Sequence, residues 1–246
     1  LEDHQVPGAR LSRHELKTQD EITSYLQSFT ELLETRKKEV LIAVAVLIVL
    51  VAAFVGWRAY SSKRNAAASV QLASAIAAFE ESNTKQDKAG YEKAVAEARK
   101  TIETYGSTTA GTIAKYYLAM SQDRLGDTAS AEKNLQEVID HGDSSIKGVA
   151  QFALAHLQSQ HGSTAKAIET LTQLYSSGNY PKSAVAYDLA SLYEAGGQQE
   201  QAKQYYGKVI TDSPDSRFRQ ESETALKRMG APIPTPAPAE AVPAKK

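Results

Sequence analysis

YYLAMSQDRLGDTASAEKNLQEVIDHG, residues 116–142, returns twice further along the chain. Residues 152–178 read FALAHLQSQHGSTAKAIETLTQLYSSG, and residues 187–214 read YDLASLYEAGGQQEQAKQYYGKVITDSP. Leu-Ala pairs stand at Leu118-Ala119, Leu154-Ala155 and Leu189-Ala190, glycines at Gly126, Gly162 and Gly197, and second alanines at Ala131, Ala167 and Ala202. All three columns step by 36 and then 35 residues, and a fixed period of that length marks a repeat architecture. Each column has a physical reason. A small alanine on a first helix and another on a second helix let the two approach closely. The glycine falls where the first helix must stop and turn. Leu135, Leu171 and Tyr206, then Val138, Leu174 and Val209, fill the space between neighbouring helix hairpins. Pro214 ends the last of them, because proline cannot continue a helix.

These columns resemble the tetratricopeptide repeat, a helix-turn-helix unit of about 34 residues. The last copy matches best, with Leu189, Ala190, Tyr193, Ala202, Tyr206 and Pro214 at the expected offsets. The other copies depart from it. Lys115 and Gln151 stand where the family often has a large apolar residue, and Gln122 and Gln158 stand where Tyr193 does. An earlier, weaker copy has a second helix carrying Tyr91, Ala94, Ala98 and Ile102, preceded by an Ala-rich helix at about 66–82, with SNTKQDKAG as the loop between them. Four hairpins over residues 66–230 meet the minimum of about three that stacked repeats need for stability. The resemblance also implies a groove lined by the first helices. On that register Tyr116, Phe152 and Tyr187 share one groove-facing offset, with Met120, His156 and Ser191 one turn further. The first five of those with apolar or imidazole side chains, Tyr116, Met120, Phe152, His156 and Tyr187, are the candidate partner-binding residues. They line a protein-binding surface or pack between adjacent repeats; the sequence alone allows both.

Ahead of the repeats lies RKKEVLIAVAVLIVLVAAFVGWRAY, uncharged from Val40 to Trp57. Eighteen helical residues span roughly 27 Å at about 1.5 Å each, close to the roughly 30 Å hydrocarbon core of a bilayer. Arg36, Lys37 and Lys38 flank one end, Arg58, Lys63 and Arg64 the other, with Trp57 and Tyr60 at the place of an interfacial aromatic belt. A cleaved signal has a shorter apolar run close to the N-terminus, whereas 39 residues precede this one. Residues 40–57 are therefore expected to be a transmembrane helix in contact with lipid. A short tail ahead of it and a large domain behind it favour the N-terminus inside and the repeats outside.

Residues 1–17 carry no periodicity and are expected to be disordered. Thr18 to Glu21 fit a capping box, and Ile22, Tyr25, Leu26, Phe29, Leu32 and Leu33 recur at helical spacing, so 18–39 reads as an amphipathic helix. It packs on itself, lies at the headgroups or docks a membrane partner. Residues 231–246, APIPTPAPAEAVPAKK, form a Pro/Ala-rich tail that excludes helix. The expected fold is all-α: a single transmembrane helix followed by an α-solenoid of tetratricopeptide-like hairpins.

The chain has 246 residues, a net charge of −1 and no cysteine. That charge gives no pull toward nucleic acid, and the lack of cysteine removes disulfides and thiolate chemistry. Residues 58–230 hold 20 basic and 20 acidic residues. The five histidines, His4, His14, His141, His156 and His161, have no metal-binding spacing, and no phosphate loop, nucleophile elbow or dinucleotide fingerprint occurs. No cofactor and no enzymatic activity are expected.

The whole layout, a span ending FVGWRAY, then ASAIAAFE in an Ala-rich helix, then degenerate tetratricopeptide hairpins, resembles the YfgM-type ancillary subunits of the bacterial Sec translocon over roughly residues 15–230. Gly56, Trp57, Arg58, Ala59 and Tyr60 and the repeat columns carry the likeness. The resemblance implies a single-pass protein of the bacterial inner membrane, N-terminus cytoplasmic and repeats periplasmic, whose partners are translocon subunits, periplasmic chaperones or exported chains. The alternative is an envelope organiser that coordinates cell-wall or division machinery through the same repeats.

Overall fold

The computed structural model describes residues 37–235. Residues 1–36, with most of the amphipathic helix expected at 18–39, and the tail beyond 235 lie outside the described residues. Among the described residues, nine helices follow one another: α1 (Lys37–Lys85), α2 (Lys88–Tyr105), α3 (Thr109–Arg124), α4 (Thr128–His141), α5 (Ser144–Gln160), α6 (Thr164–Ser177), α7 (Lys182–Ala195), α8 (Gln199–Asp212) and α9 (Arg219–Arg228). The chain divides into two compact units, Leu1–Ser62 and Lys63–Lys246.

The first unit, where described, is the start of α1. This helix is long and apolar enough to cross a membrane. In this part of the helix Leu47, Leu50, Phe54 and Trp57 stand exposed. Residues 58–65, between the expected span and the expected repeats, are helical too.

The second unit is a stack of hairpins. The part of α1 from residue 63 pairs with α2, α3 with α4, α5 with α6 and α7 with α8. Each later helix packs on its neighbours in chain order. Ala68 and Leu72 of α1 share a cluster with Ala110 and Ala114 of α3, and Ala75 shares one with Ala98 of α2 and Leu118 of α3. The alanine columns are buried throughout, Ala119, Ala155 and Ala190 against Ala131, Ala167 and Ala202. Leu135, Leu171 and Tyr206 lie buried one turn further, as do Val138, Leu174 and Val209. Asp87, Thr108, Asp127 and Asp143 cap α2 to α5, their side-chain oxygens accepting from backbone N–H groups in the first turn.

The turn inside each hairpin is one motif. Gly126, Gly162 and Gly197 take φ of 86°, 79° and 73°. The next residues, Asp127, Ser163 and Gln198, donate their N–H groups to the carbonyls of Gln122, Gln158 and Tyr193 at 2.9, 2.7 and 2.8 Å, the longer hydrogen bond of a Schellman ending. The first hairpin corrects the sequence reading. SNTKQDKAG is not a long loop: α1 runs to Lys85, α2 begins at Lys88, and only Gln86 and Asp87 connect them. Asp87 N–H donates to the Ser82 carbonyl at 3.2 Å, and Gln86 takes the left-handed φ of 54° that glycine takes elsewhere. The motif is the same, with a side chain bearing the strain. At the far end α8 stops at Asp212, ahead of Pro214, and one further helix, α9, follows. Its Ser222, Ala225 and Leu226 are buried against Ala190, Ala202, Tyr206 and Ile210, and its outer residues Gln220, Glu221, Thr224 and Lys227 are exposed. It is the polar-faced cap that a terminal repeat requires.

The departures at Gln122 and Gln158 are paired changes. Asn134 donates to the Gln122 side-chain oxygen at 2.7 Å, and Thr170 to that of Gln158 at 3.0 Å. In the last hairpin the same two places hold Tyr193 and Tyr205, stacked with centroids 5.6 Å apart and planes at 16°. Both glutamines are buried, so the slot between helices is filled by a bonded amide or by stacked rings. Asn134→Leu is expected to cost about 1–3 kcal/mol by stranding the Gln122 amide. The double variant Gln122→Leu/Asn134→Leu is expected to recover most of it, since removing both partners leaves nothing unsatisfied. Urea unfolding of the three proteins checks the difference.

Candidate functional site

The first helices α3, α5 and α7 present the residues singled out from the sequence. Tyr116, Met120, Phe152 and His156 line one cavity of about 270 Å3 between α3 and α5. His156 also lines a second, of about 160 Å3, among α5, α6 and α7. Tyr187 is set apart, in a third and wider one of about 470 Å3 formed with α8 and α9. Four of the five candidates thus meet in one place, and the fifth stands one hairpin along.

Each aromatic has one edge in the core and another in a cavity. Tyr116 packs against the cluster of Leu135, Val138 and Leu154, and burial pushes its hydroxyl up to about 12, so it stays neutral and serves as an apolar wall with a hydrogen-bonding tip. Phe152 packs against Leu171 and Leu189, stacks on Tyr180 at 4.4 Å and 20°, and meets the His156 ring edge-on at 4.6 Å. Tyr187 stacks on Phe218, just ahead of α9, at 4.9 Å and 22°. The choice left open by the sequence, packing or lining, does not divide these residues.

Tyr180 is a lining residue that the repeat register does not reveal, because it lies between α6 and α7 rather than on a first helix. Two glycines seat it. Gly178 ends α6 at φ 69°. Gly148 on α5 touches the backbone of Asn179 so closely that a Cβ there would collide with its carbonyl. The 178–181 loop therefore lies against α5 and lays Tyr180 over Phe152.

The polar members of the site are few. His156 Nε2 lies 2.8 Å from Asp188 Oδ2 across α5 and α7, with side chains 48 % and 21 % exposed. Their 32-residue separation hid the pair from motif reading. At the rim are Asp123 and Arg124 of α3 and Gln160 of α5. Lys115 is drawn away to Glu137 on α4 at 2.5 Å, and its ammonium holds the Glu137 carboxyl below the usual carboxylate value. Among the described residues no group of three or more His, Asp or Glu side chains is placed to hold a metal ion. What the surface offers is apolar contact with a few fixed charges, a chemistry suited to holding a polypeptide.

Residues 36–230 match the sequence profile of the tetratricopeptide repeat-like domain. The chain belongs to that family. The matched region takes in the apolar helix as well as the hairpins, so helix and repeats come as one unit of sequence in this tetratricopeptide repeat-like protein. Tetratricopeptide-like repeats are protein-interaction scaffolds, and the all-helical solenoid described above is of this kind. Comparison with curated proteins finds no match. Among solved structures, the protein is similar to MamA, at 18% identity over 62% of this chain and 84% of that one, with a TM-score of 0.46. It is also similar to a putative kinesin light chain of Podosopora anserina with nearly identical TPR-like repeats, at 18% identity over 63% and 86% with a TM-score of 0.49. BtubC (BKLC) from P. vanneervenii is similar at 16% identity over 73% and 99%, with a TM-score of 0.42.

Proposed function

We propose that the chain is a membrane-anchored scaffold that binds protein segments and assists the Sec translocon and periplasmic chaperones with exported chains. The observation that carries the binding half is the pair of adjoining cavities at His156, walled by Tyr116, Met120, Phe152 and Tyr180. Half-buried aromatics held by the core bind without first paying the entropy of being ordered. The observation that supports the location is the exposed apolar start of α1. The translocon enters through the likeness to the YfgM-type subunits, carried by Gly56 to Tyr60 and by the layout of span and hairpins. A tether confines the groove to the layer where chains leave a channel, which raises its effective concentration for them. In this reading residues 40–57 cross the bacterial inner membrane once, with the N-terminus cytoplasmic and the repeats periplasmic.

Sidedness is tested by adding protease to spheroplasts of the cells that make the protein. The repeats are expected to be digested from outside with no detergent present. Protection that ends only when detergent opens the membrane would place the groove in the wrong compartment for this role.

A further inference from the structure

Asp188 is a carboxylate whose close partner, His156, is a cation only when protonated. Its Oδ2 is shielded from solvent and lies 2.8 Å from the His156 Nε2. A buried carboxylate oxygen is costly unless a cation or donor meets it in good geometry. The Asp188 side chain, 21% exposed, lines the 160 Å3 cavity together with the apolar side chains of Ala155, Leu171 and Leu192. Ser159 and Ser191 also line it. The Ser191 hydroxyl donates to the Tyr187 carbonyl at 3.0 Å, so its lone pairs remain able to accept. A cavity with greasy walls, two hydroxyls and a carboxylate that lacks a permanent cation matches an alkyl chain that ends in an ammonium.

We propose that this cavity is the subsite for a lysine side chain of the bound protein segment, with Asp188 as its counter-ion, and that the adjoining cavity at Phe152 takes a large apolar side chain of the same segment. The inference rests on the proposed use of the groove and adds the chemistry it selects. Because His156 stands in the wall of both cavities, the two subsites are neighbours. In an extended chain, residues i and i+2 point the same way about 7 Å apart, so the motif recognised is apolar–x–lysine. An acidic residue at the second place would face Asp188 and be rejected.

His156 makes the binding pH-dependent. The groups around it are Asp188 on α7, Tyr180 ahead of α7, and Asp123 and Arg124 across the larger cavity on α3; α6 contributes Leu171. The contact with Asp188 raises the His156 pKa above its ordinary 6.5, against the opposing pull of burial. Protonated His156 therefore competes with lysine for the carboxylate, and an ammonium seated there expels the proton. Lysine-dependent affinity rises as pH climbs through that raised pKa and levels off above it.

The test uses the full chain in detergent and fluorescent Gly/Ser peptides carrying Phe-Ser-Lys, Phe-Ser-Ser or Phe-Ser-Glu at the centre. Above neutral pH, Phe-Ser-Lys is expected to bind about tenfold more tightly than Phe-Ser-Glu, the size of one hydrogen-bonded charge contact. Asp188→Asn is expected to weaken Phe-Ser-Lys binding more than Phe-Ser-Ser binding and so abolish the lysine preference. His156→Ala is expected to keep the preference and flatten its pH dependence. Equal affinity for the lysine and glutamate peptides on the unaltered chain would overturn the inference, as would an Asp188→Asn loss that falls equally on Phe-Ser-Ser. Binding of Phe-Ser-Ser with no lysine preference leaves the groove function standing and removes only this inference; absence of binding by every peptide removes both.

Discussion

Arginine at Leu47 and Leu50 together is expected to strip the protein from membranes. Both side chains sit mid-way along the apolar start of α1 and are exposed, at 60% and 61%. Among the described residues nothing buries them, so the substitutions should leave the repeats untouched. Each arginine near the middle of a spanning helix costs about 2.5–3.5 kcal/mol of insertion, and the two cannot both reach an interface by snorkelling from the centre. A loss of roughly 5–7 kcal/mol by the same scale exceeds what an eighteen-residue run can spare once charged at its midpoint. The unaltered protein should stay in the pellet after alkaline carbonate washing and the variant should move to the supernatant. Val70→Arg is the control: Val70 is as exposed, at 75%, but lies past the apolar run, and the variant should stay in the pellet. A double-arginine protein that still resists carbonate would mean that α1 is not what holds the chain at the membrane.

The second large effect is expected from Leu171→Ala. Leu171 is 2% exposed and joins α6 to Ala155 of α5 and to Val185 and Leu189 of α7. It also walls the 160 Å3 cavity, so the neighbours on that side are not placed to close over the space that truncation leaves. Leucine-to-alanine changes cost about 2–5 kcal/mol, rising with the volume left behind, and this site belongs near the upper end. Stacked repeats stabilise one another through their shared faces, so the loss should spread through the stack and lower the melting temperature by about 10 °C. Circular dichroism melting measures it. An unchanged melting curve would contradict the packing of α6 between α5 and α7.

The two scales of the fold were not equally open to sequence reading. Columns such as Ala119/Ala155/Ala190 and Gly126/Gly162/Gly197 were legible because each position has a single physical demand, close approach or left-handed φ, that few residues meet. The first hairpin hid for the complementary reason: Gln86 occupies the glycine place at some cost in backbone strain, so the marker that dates the other turns is missing. The cap helix α9 escaped because it spans only Arg219–Arg228 and buries just Ser222, Ala225 and Leu226, too few apolar positions to make a period. Gln122 and Gln158 were visible as exceptions but not as halves of pairs, since their partners Asn134 and Thr170 lie 12 residues on, across a turn. On the first helices, register brought out Tyr116 and Phe152, which share one cavity, and Tyr187, which stands in another. Tyr180 and Asp188 did not, because one is seated by a loop and the other is defined by a contact between separate hairpins.

Photo-crosslinking from within the groove bears most directly on the central claim. A photoreactive residue placed at Phe152, in full-length protein in living cells, is expected to form adducts with translocon subunits, periplasmic chaperones or chains in export, and these adducts should disappear when export is blocked. The same residue at Glu169, exposed on α6, should form few. Equal yields from the two places, or groove adducts indifferent to export, would contradict the account.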